Sequence, residues 1–550
     1  MYIFILYFYF TYRLELNDNE VDNMPKGKVL IIGFDGATFN LIKPMINELP
    51  NFKKIMKNGV YGNLKSTIPP ISAPAWTSFM TGKNPGKHSI FYFNDFDLSK
   101  KEIGSLVDAT KIDGERFWDI IGNHNKKVGI INITVTYPPK KVNGFMISGC
   151  LTPSKKIFTY PPELEDELED YVIDVKISKI MSDSSFGKLD KKQFNRELRN
   201  VAKNRLKNTL KLMNKNWDLF IVMFRILDLA QHFFWDDKDF LKSQYKIADN
   251  ILGKIMKKAN KINKNTSVIV VSDHGFRSKT YKNVHLNDWL KRNGFLKTKG
   301  IIGGTIIKKW IAKVLQSLGL LDIAWKIIPK KMTRETFYED KNIDWSKTKA
   351  NLSPTSFAYS WIGIDINIKG RGKDGVVETG KEYENLRNEL IEKLSKLRDI
   401  KTGKKVIEKI FRREEIYSGK YMDIASDLIL KFKFPYKGEK SIGNSRLITE
   451  SIKTNLTGEH EINGIFLAYG LEIKKGEEIK SAEIIDIAPT VLHMFGLEIP
   501  EDMDGKLLKI FKSDSGISKR KIKYKKVSKR DVEKEKIKET IKKLKILKKL

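Results

Sequence analysis

Lys28-Val-Leu-Ile-Ile-Gly-Phe34, followed by Asp35-Gly36, is a short unbroken apolar run that ends on a carboxylate. A half-exposed strand alternates polar and apolar side chains, whereas a strand buried on both faces does not. The run therefore predicts a strand inside a sheet, with Asp35 at its carboxyl end. Comparable runs recur at 128–133 (Val-Gly-Ile-Ile-Asn-Ile), 219–224 (Leu-Phe-Ile-Val-Met-Phe) and 267–271 (Ser-Val-Ile-Val-Val), alternating with helical patterns such as 239–262. Strands that alternate with helices predict an α/β fold: a central, mostly parallel sheet flanked by helices on both faces. In such sheets ligands collect at the carboxyl ends of strands. Asp35, Asp228 and Asp273 each follow an apolar run closely and are the first candidates.

Between about 290 and 355 the pattern turns irregular and helical. The expected division is thus 24–290 for the first part of a catalytic domain, 291–355 for a cap or insertion, 356–512 for its second part and 513–550 for a basic helical tail. The opening MYIFILYFYF is about half the roughly 20 residues a spanning helix needs. It lacks the basic leading region and small-residue cleavage site of a signal peptide. Met24 begins MPKGKVLIIGFDG, directly before the first strand, so residues 1–23 are expected to be a non-native or disordered extension, with a weak N-terminal anchor as the alternative.

With 550 residues and 41% hydrophobic side chains the chain can bury a large core. Its formal charge of +34 invites a polyanion-binding reading, yet sixteen Lys/Arg against four Asp/Glu fall in residues 519–550 and the rest is spread evenly. Lys and Ile usage is high throughout, which speaks for compositional bias, so specific nucleic-acid binding is not expected. In the tail, Ile537, Ile541, Leu544 and Leu547 recur at helical spacing among lysines; a solvated helix is the plain expectation and contact with an anionic membrane surface the sharper one. Cys150 is the only cysteine, so neither an internal disulfide nor a cysteine zinc cage can form. The expected location is cytoplasmic, peripheral to a membrane where the tail engages one.

Five separated segments supply oxygen and nitrogen ligands: Asp35; Ser72; Asp228 with His232; Asp273 with His274; and His460. Asp228 and His232, at i and i+4, share one face if helical and can reach one metal. Asp273-His274-Gly275 follows a strand, where a turn can aim adjacent side chains into a cleft. Ser72 precedes Ala73-Pro74, and Pro suits a first helical turn, whose free N–H groups and dipole favour a phosphoryl oxygen. A serine hydroxyl is a weak nucleophile. A divalent cation lowers its pKa, and a second cation about 4 Å away can stabilise the leaving oxygen.

Gly33-Phe34-Asp35-Gly36, the Ser72 segment ending Thr81-Gly82-Lys83-Asn84-Pro85-Gly86-Lys87-His88, Asp228-x-x-x-His232, Asp273-His274-Gly275 and Thr457-Gly458-Glu459-His460 stand in the order and at the separations of one family. They resemble the type I phosphodiesterase/nucleotide pyrophosphatase branch of the alkaline phosphatase superfamily, over about residues 28–510. The resemblance implies two divalent metal ions, zinc by ligand type with manganese tolerated. Asp228, His232 and His460 would hold one; Asp35, Asp273 and His274 the other, with Ser72 bridging to it as nucleophile. Thr77 and Ser78 are competing hydroxyls but would lie inside the helix. Asn94 falls one residue late for the family's phosphate-holding Asn, and Lys369 and Arg371 stand in a segment where either could meet substrate phosphate; a surface turn explains that segment equally well.

The remaining histidines read as structural: His88 and His285 hydrogen-bonded in loops, His124 exposed, His493 packed on a helix. The implied activity is hydrolysis of a phosphodiester or pyrophosphate bond, nucleotide-like or in a lipid headgroup, through a phosphoseryl intermediate. Phosphoryl transfer or mutase chemistry on the same site is the alternative, and a catalytically silent anion- or membrane-surface-binding protein is the alternative of another class. Sulfatase chemistry is disfavoured, because neither Cys150-Leu-Thr-Pro nor Ser72-Ala-Pro-Ala-Trp supplies the required Arg.

Overall fold

Residues 29–34 form a strand with every position buried, as the apolar run predicts. In the computed structural model, which describes residues 27–97, 102–153, 156–173, 189–299, 342–353, 360–372, 374–451 and 453–526, it sits inside a nine-stranded sheet. The strands are β1 (Val29–Phe34), β2 (Val60–Lys65), β3 (Val128–Ile131), β4 (Gly144–Ile147), β5 (Thr159–Tyr160), β6 (Leu219–Phe224), β7 (Ser267–Val271), β8 (Asn463–Tyr469) and β9 (Glu477–Glu483). Their order is β9-β2-β8-β7-β1-β6-β3-β4-β5. The run from β7 to β4 is parallel, with Gly33 opposite both Met223 and Val271; β8 is antiparallel to its two neighbours and β5 to β4. The chain is therefore α/β with a mostly parallel central sheet.

Alternate residues of β1 feed two cores. Leu30, Ile32 and Phe34 pack in one with the helices α2 (Lys191–Leu212), α3 (Ile226–Phe234) and α4 (Lys238–Ile262); Val29 and Ile31 pack in the other with α1 (Ser72–Thr81) and α5 (Ile487–Met494). A strand covered on both faces needs apolar side chains in both directions, which is why 28–34 shows no alternation. Gly33 has its own cause: a Cβ there would stand 2.7 Å from the Trp76 indole, so glycine lets that ring settle over the strand end.

A second, antiparallel sheet joins Ala350–Leu352, Trp361–Ile366, Leu428–Phe432 and Ile407–Arg412 in that order. It buries one face under the helix Lys381–Ser395, through Leu386, Leu390 and Leu394, and its core is a cluster separate from the other two. Within the expected second part of the catalytic domain, 356–512, the strands Trp361–Ile366, Ile407–Arg412 and Leu428–Phe432 belong to this second sheet and not to the main one. Most of the predicted cap, at 300–341, the N-terminal segment and the tail helix lie outside the described residues.

The small sheet touches the main one where Trp361, Tyr417, Ala425 and Ile429 pack on Ile71, and the Tyr417 hydroxyl donates to the Ile68 carbonyl. The segment that leads into Ser72 is thus held by the unit that carries the small sheet. Among the described residues no helix is long and apolar enough to cross a membrane.

Candidate metal centre

The predicted ligands come together at the carboxyl ends of β1, β6 and β7. Asp35 follows β1 directly, and Gly36, at φ +71°, turns the chain away; its N–H donates to Asp273 Oδ1 at 3.2 Å. A Cβ on Gly36 would meet the Phe276 ring at 2.9 Å, so both the turn and the space require glycine. Asp228 and His232 share one face of α3, with His232 Nε2 3.3 Å from Asp228 Oδ1. His460 arrives on Gly458–Glu461, which pairs with Gly275–Ser278 so that Phe276 faces His460.

Asp35, Asp273 and His274 bring ligand atoms within 4.8 Å of one another, and so do Asp228, His274 and His460. The second group differs in one member from the set the resemblance implies. His274 stacks on His460 with ring centroids 3.6 Å apart, which carries its imidazole into both groups, while His232 lies beside them, 3.0 Å from His460 Nε2. Ser72 is the first residue of α1, after the extended Ile71, and its Oγ lies 3.2 Å from His274 Nε2. Thr77 Oγ1 instead donates to the Ala73 carbonyl at 2.8 Å, and Ser78 Oγ meets His88 Nε2 at 2.9 Å. Both competing hydroxyls are engaged within the helix and its packing.

Burial dominates the electrostatics. It pushes Asp35 well above the usual carboxylate range, with Asp273 and Asp228 adding repulsion, and pushes Asp273 up to about 6. Asp228 goes the other way: burial opposes ionisation, but His232, His460 and Arg225 together hold it well below the usual range. Burial also lowers His232 and His274, keeping them neutral, the form that donates a lone pair to a metal. Asp35 Oδ1, Asp228 Oδ1 and Asp273 Oδ2 are buried and accept no hydrogen bond. Such orphaned carboxylate oxygens are costly unless a cation takes them. The donor set, hard oxygens with neutral imidazoles, fits divalent ions of the zinc or manganese kind.

Comparison with known proteins gives the same direction. A family model, type I phosphodiesterase/nucleotide pyrophosphatase, matches residues 29–445. The chain belongs to this family. As a type I phosphodiesterase it is an enzyme of the alkaline phosphatase superfamily that acts on phosphodiester or pyrophosphate bonds, in a family dependent on two metals. The family match stops short of His460, which only the pairing of Gly458–Glu461 places in the centre. Solved structures similar to this phosphodiesterase include murine ectonucleotide pyrophosphatase/phosphodiesterase 5 (14% identity, 86% of this chain and 95% of that one, TM-score 0.48). An inactive variant of the murine protein in complex with AMP (14%, 86% and 96%, 0.48) and the human protein (14%, 88% and 97%, 0.47) are similar to the same degree. No curated protein sequence matches the chain.

The three substrate candidates each bond a partner outside the ligand set. Asn94 donates its amide to the Gly104 carbonyl at 3.1 Å, across a two-stranded ribbon. Lys369 pairs with Glu378, and Arg371 grips Asp427 with two bonds of 2.6 and 2.9 Å. Asp427 is fully buried and also accepts from Tyr383 and the Ile366 N–H, so Arg371 neutralises the floor of the small sheet. Nothing in the local sequence pairs 371 with 427. Removing Arg371 leaves the buried Asp427 carboxylate with Arg413, 3.5 Å away, as its remaining ion-pair partner, so Arg371→Met is expected to lower unfolding free energy by about 3 kcal/mol. Urea titration measures that loss, and KM for a diester should stay within about threefold of wild type; a tenfold rise in KM would return Arg371 to the substrate.

The four other histidines are structural. His88 is fully buried, accepts from the Ile90 N–H at Nδ1 and donates from Nε2 to Ser78; burial drives its pKa down to about 3. It braces the last turns of α1. His285 bridges the Ser441 and Thr449 hydroxyls, His493 caps the Ile517 carbonyl, and His124 meets the Ile120 carbonyl at the surface. Sequence reasoning missed three residues at the centre. Trp76 Nε1 donates to Asp35 Oδ2 at 3.3 Å; Gln231 holds the Gly36 carbonyl at 2.8 Å and is itself held by Tyr245; Arg225 reaches two ligand carboxylates. For Arg225 a signal existed: a cation three residues before Asp228, at the end of an apolar run.

Proposed function

We propose that the chain hydrolyses a phosphodiester or pyrophosphate bond of a small nucleotide-like or lipid-headgroup substrate, with Ser72 as nucleophile and two divalent cations, zinc for preference, held by Asp35, Asp273 and His274 and by Asp228, His232 and His460. The observation that carries this is the placing of the Ser72 hydroxyl, at a helix start, 3.2 Å from His274 Nε2, which itself lies 3.6 and 3.3 Å from two buried carboxylate oxygens that accept no hydrogen bond, Asp35 Oδ1 and Asp273 Oδ2. The bound cations supply the positive charge that makes the hydroxyl acidic and offsets charge on the phosphoryl oxygens. The N-terminal N–H groups of α1 face the same oxygens and orient the phosphorus for attack in line with the leaving oxygen.

In the first displacement the Ser72 Oγ–P bond forms, the bond from phosphorus to the leaving oxygen breaks, and the hydroxyl proton passes through solvent to that leaving oxygen. In the second, water attacks phosphorus, the Oγ–P bond breaks, and one proton of the attacking water goes back to Ser72 Oγ. One water is consumed and the serine is restored. The test is turnover of paired chromogenic phosphate diester and monoester substrates and of a dinucleotide pyrophosphate, after reconstitution with zinc or manganese and beside a chelated control. The expected result is diester or pyrophosphate cleavage at least about tenfold above monoester cleavage and its loss on chelation. Monoester preference, or activity indifferent to chelation, overturns the reading. Transfer to an added alcohol instead of water would move the chemistry to a phosphotransferase.

A further inference from the structure

Arg225 lies between the two groups of ligands. It is the single residue joining β6 to α3, at the carboxyl end of the strand next to β1. Its Nη2 donates to Asp228 Oδ2 at 3.3 Å, its Nε stands 3.9 Å from Asp35 Oδ2, and its Nη1 donates to Cys150 Sγ at 3.1 Å. The side chain is only 10% exposed. Beside it Leu198, Val201, Phe224 and Leu229 line an apolar pocket, which keeps the local dielectric low and its contacts strong.

The two oxygens of each carboxylate are treated differently. Asp35 Oδ2 faces Arg225 and accepts from Trp76 Nε1 at 3.3 Å, and Asp228 Oδ2 accepts from Arg225. Asp35 Oδ1 and Asp228 Oδ1 are the oxygens that accept no hydrogen bond. Both face imidazole nitrogens: His274 Nε2 is 3.6 Å from Asp35 Oδ1, while His232 and His460 Nε2 lie 3.3 and 3.4 Å from Asp228 Oδ1. One guanidinium thus donates to the outer oxygen of Asp228 and stands at ion-pair distance, 3.9 Å, from the outer oxygen of Asp35.

We infer that Arg225 is a positioning residue that holds Asp228 by its Oδ2 atom and, together with Trp76, restrains Asp35 at its own Oδ2, leaving both Oδ1 atoms to serve as ligands. The inference rests on the two-cation reading of the centre. A carboxylate bound through one oxygen can rotate, and rotation would replace a ligand with its hydrogen-bonded twin. A planar fork that hydrogen-bonds the second oxygen of one neighbour and pairs electrostatically with that of the other, which Trp76 also holds, opposes both rotations. Lysine, a single point charge on a flexible stem, can hold one of them but cannot span both.

The test is equilibrium dialysis of metal-stripped protein against zinc and, separately, manganese, for wild type, Arg225→Met and Arg225→Lys, followed by diester kinetics at saturating metal. Arg225→Met should weaken binding of both ions about 10- to 100-fold. Arg225→Lys should fall between it and wild type. At saturating metal, kcat should drop while KM for the diester stays within about threefold. If Arg225→Met does not fold, the lysine variant carries the measurement alone. Wild-type affinity in both variants overturns the inference and leaves the metal site standing. A tenfold rise in KM with metal affinity unchanged also overturns it, because the guanidinium would then be touching substrate. Wild type that binds neither ion removes the metal site, and the inference with it.

Discussion

Ser72→Ala is expected to lower kcat for a diester by about 10⁴-fold or more, with metal content unchanged. The magnitude follows from what the substitution leaves behind. Seven positions are implicated and six of them keep their side chains, so the cations and the N-terminal N–H groups of α1 still bind and polarise the phosphoryl group. The attacking atom alone is gone, and a water must take its place without the fixed distance and alignment that a residue at a helix start provides. Nearby hydroxyls cannot substitute. Thr77 and Ser78 are buried on α1 and already bonded to Ala73 and His88. Metal content by elemental analysis separates loss of the nucleophile from loss of the site. Ser72→Thr should keep measurable turnover, since it presents the same oxygen. Activity above about a tenth of wild type in Ser72→Ala, at full metal content, would assign the attack to another group.

His460→Ala should be nearly as damaging, about 10³-fold in kcat/KM, and by a different route that the metal content reveals. His460 connects the ligands to the segment before the nucleophile. Its Nε2 lies 3.0 Å from His232 and 3.4 Å from Asp228 Oδ1, its ring stacks on His274, and its Nδ1 donates to the Pro70 carbonyl at 3.0 Å, two residues before the nucleophile. That last bond orients the imidazole, leaving Nε2 as the ligand atom. It also ties the strand carrying His460 to the loop carrying Ser72. Elemental analysis of the dialysed variant should show one cation per chain where wild type holds two, and added zinc should restore turnover only partly. An unchanged content of two would mean that His460 is not a ligand and that its role is confined to holding Pro70.

The fold and the centre were legible to different depths, for physical reasons that particular residues show. The continuous burial of Val29–Phe34 required apolar side chains in both directions, so an internal strand could be read directly from six residues. Asp35, Asp228 with His232, and Asp273 with His274 could be read because each stands at the end of such a run or at helical spacing, where local geometry alone aims the side chain. His460 has no such local support; its place depends on Gly458–Glu461 pairing with Gly275–Ser278, across more than 180 residues of chain. The pairings Arg371 with Asp427, His88 with Ser78, and Arg225 with Asp35 likewise decide whether a charged or polar side chain serves substrate, packing or metal. A lysine or arginine looks the same in sequence whatever carboxylate it meets.

By itself the sequence determined the parallel α/β sheet, the presence of a hydroxyl, carboxylates and imidazoles in one family's order, and hence the class of chemistry. Only the tertiary structure decided that the small antiparallel sheet continues to Phe432 and braces the Ser72 loop, that Asn94, Lys369 and Arg371 each bond a partner outside the ligand set, and that Arg225 stands between the two halves of the centre. The reason is one of range: backbone periodicity and adjacent side chains are set within a few residues, whereas ion pairs and shared cores are set by which distant segments the fold brings together.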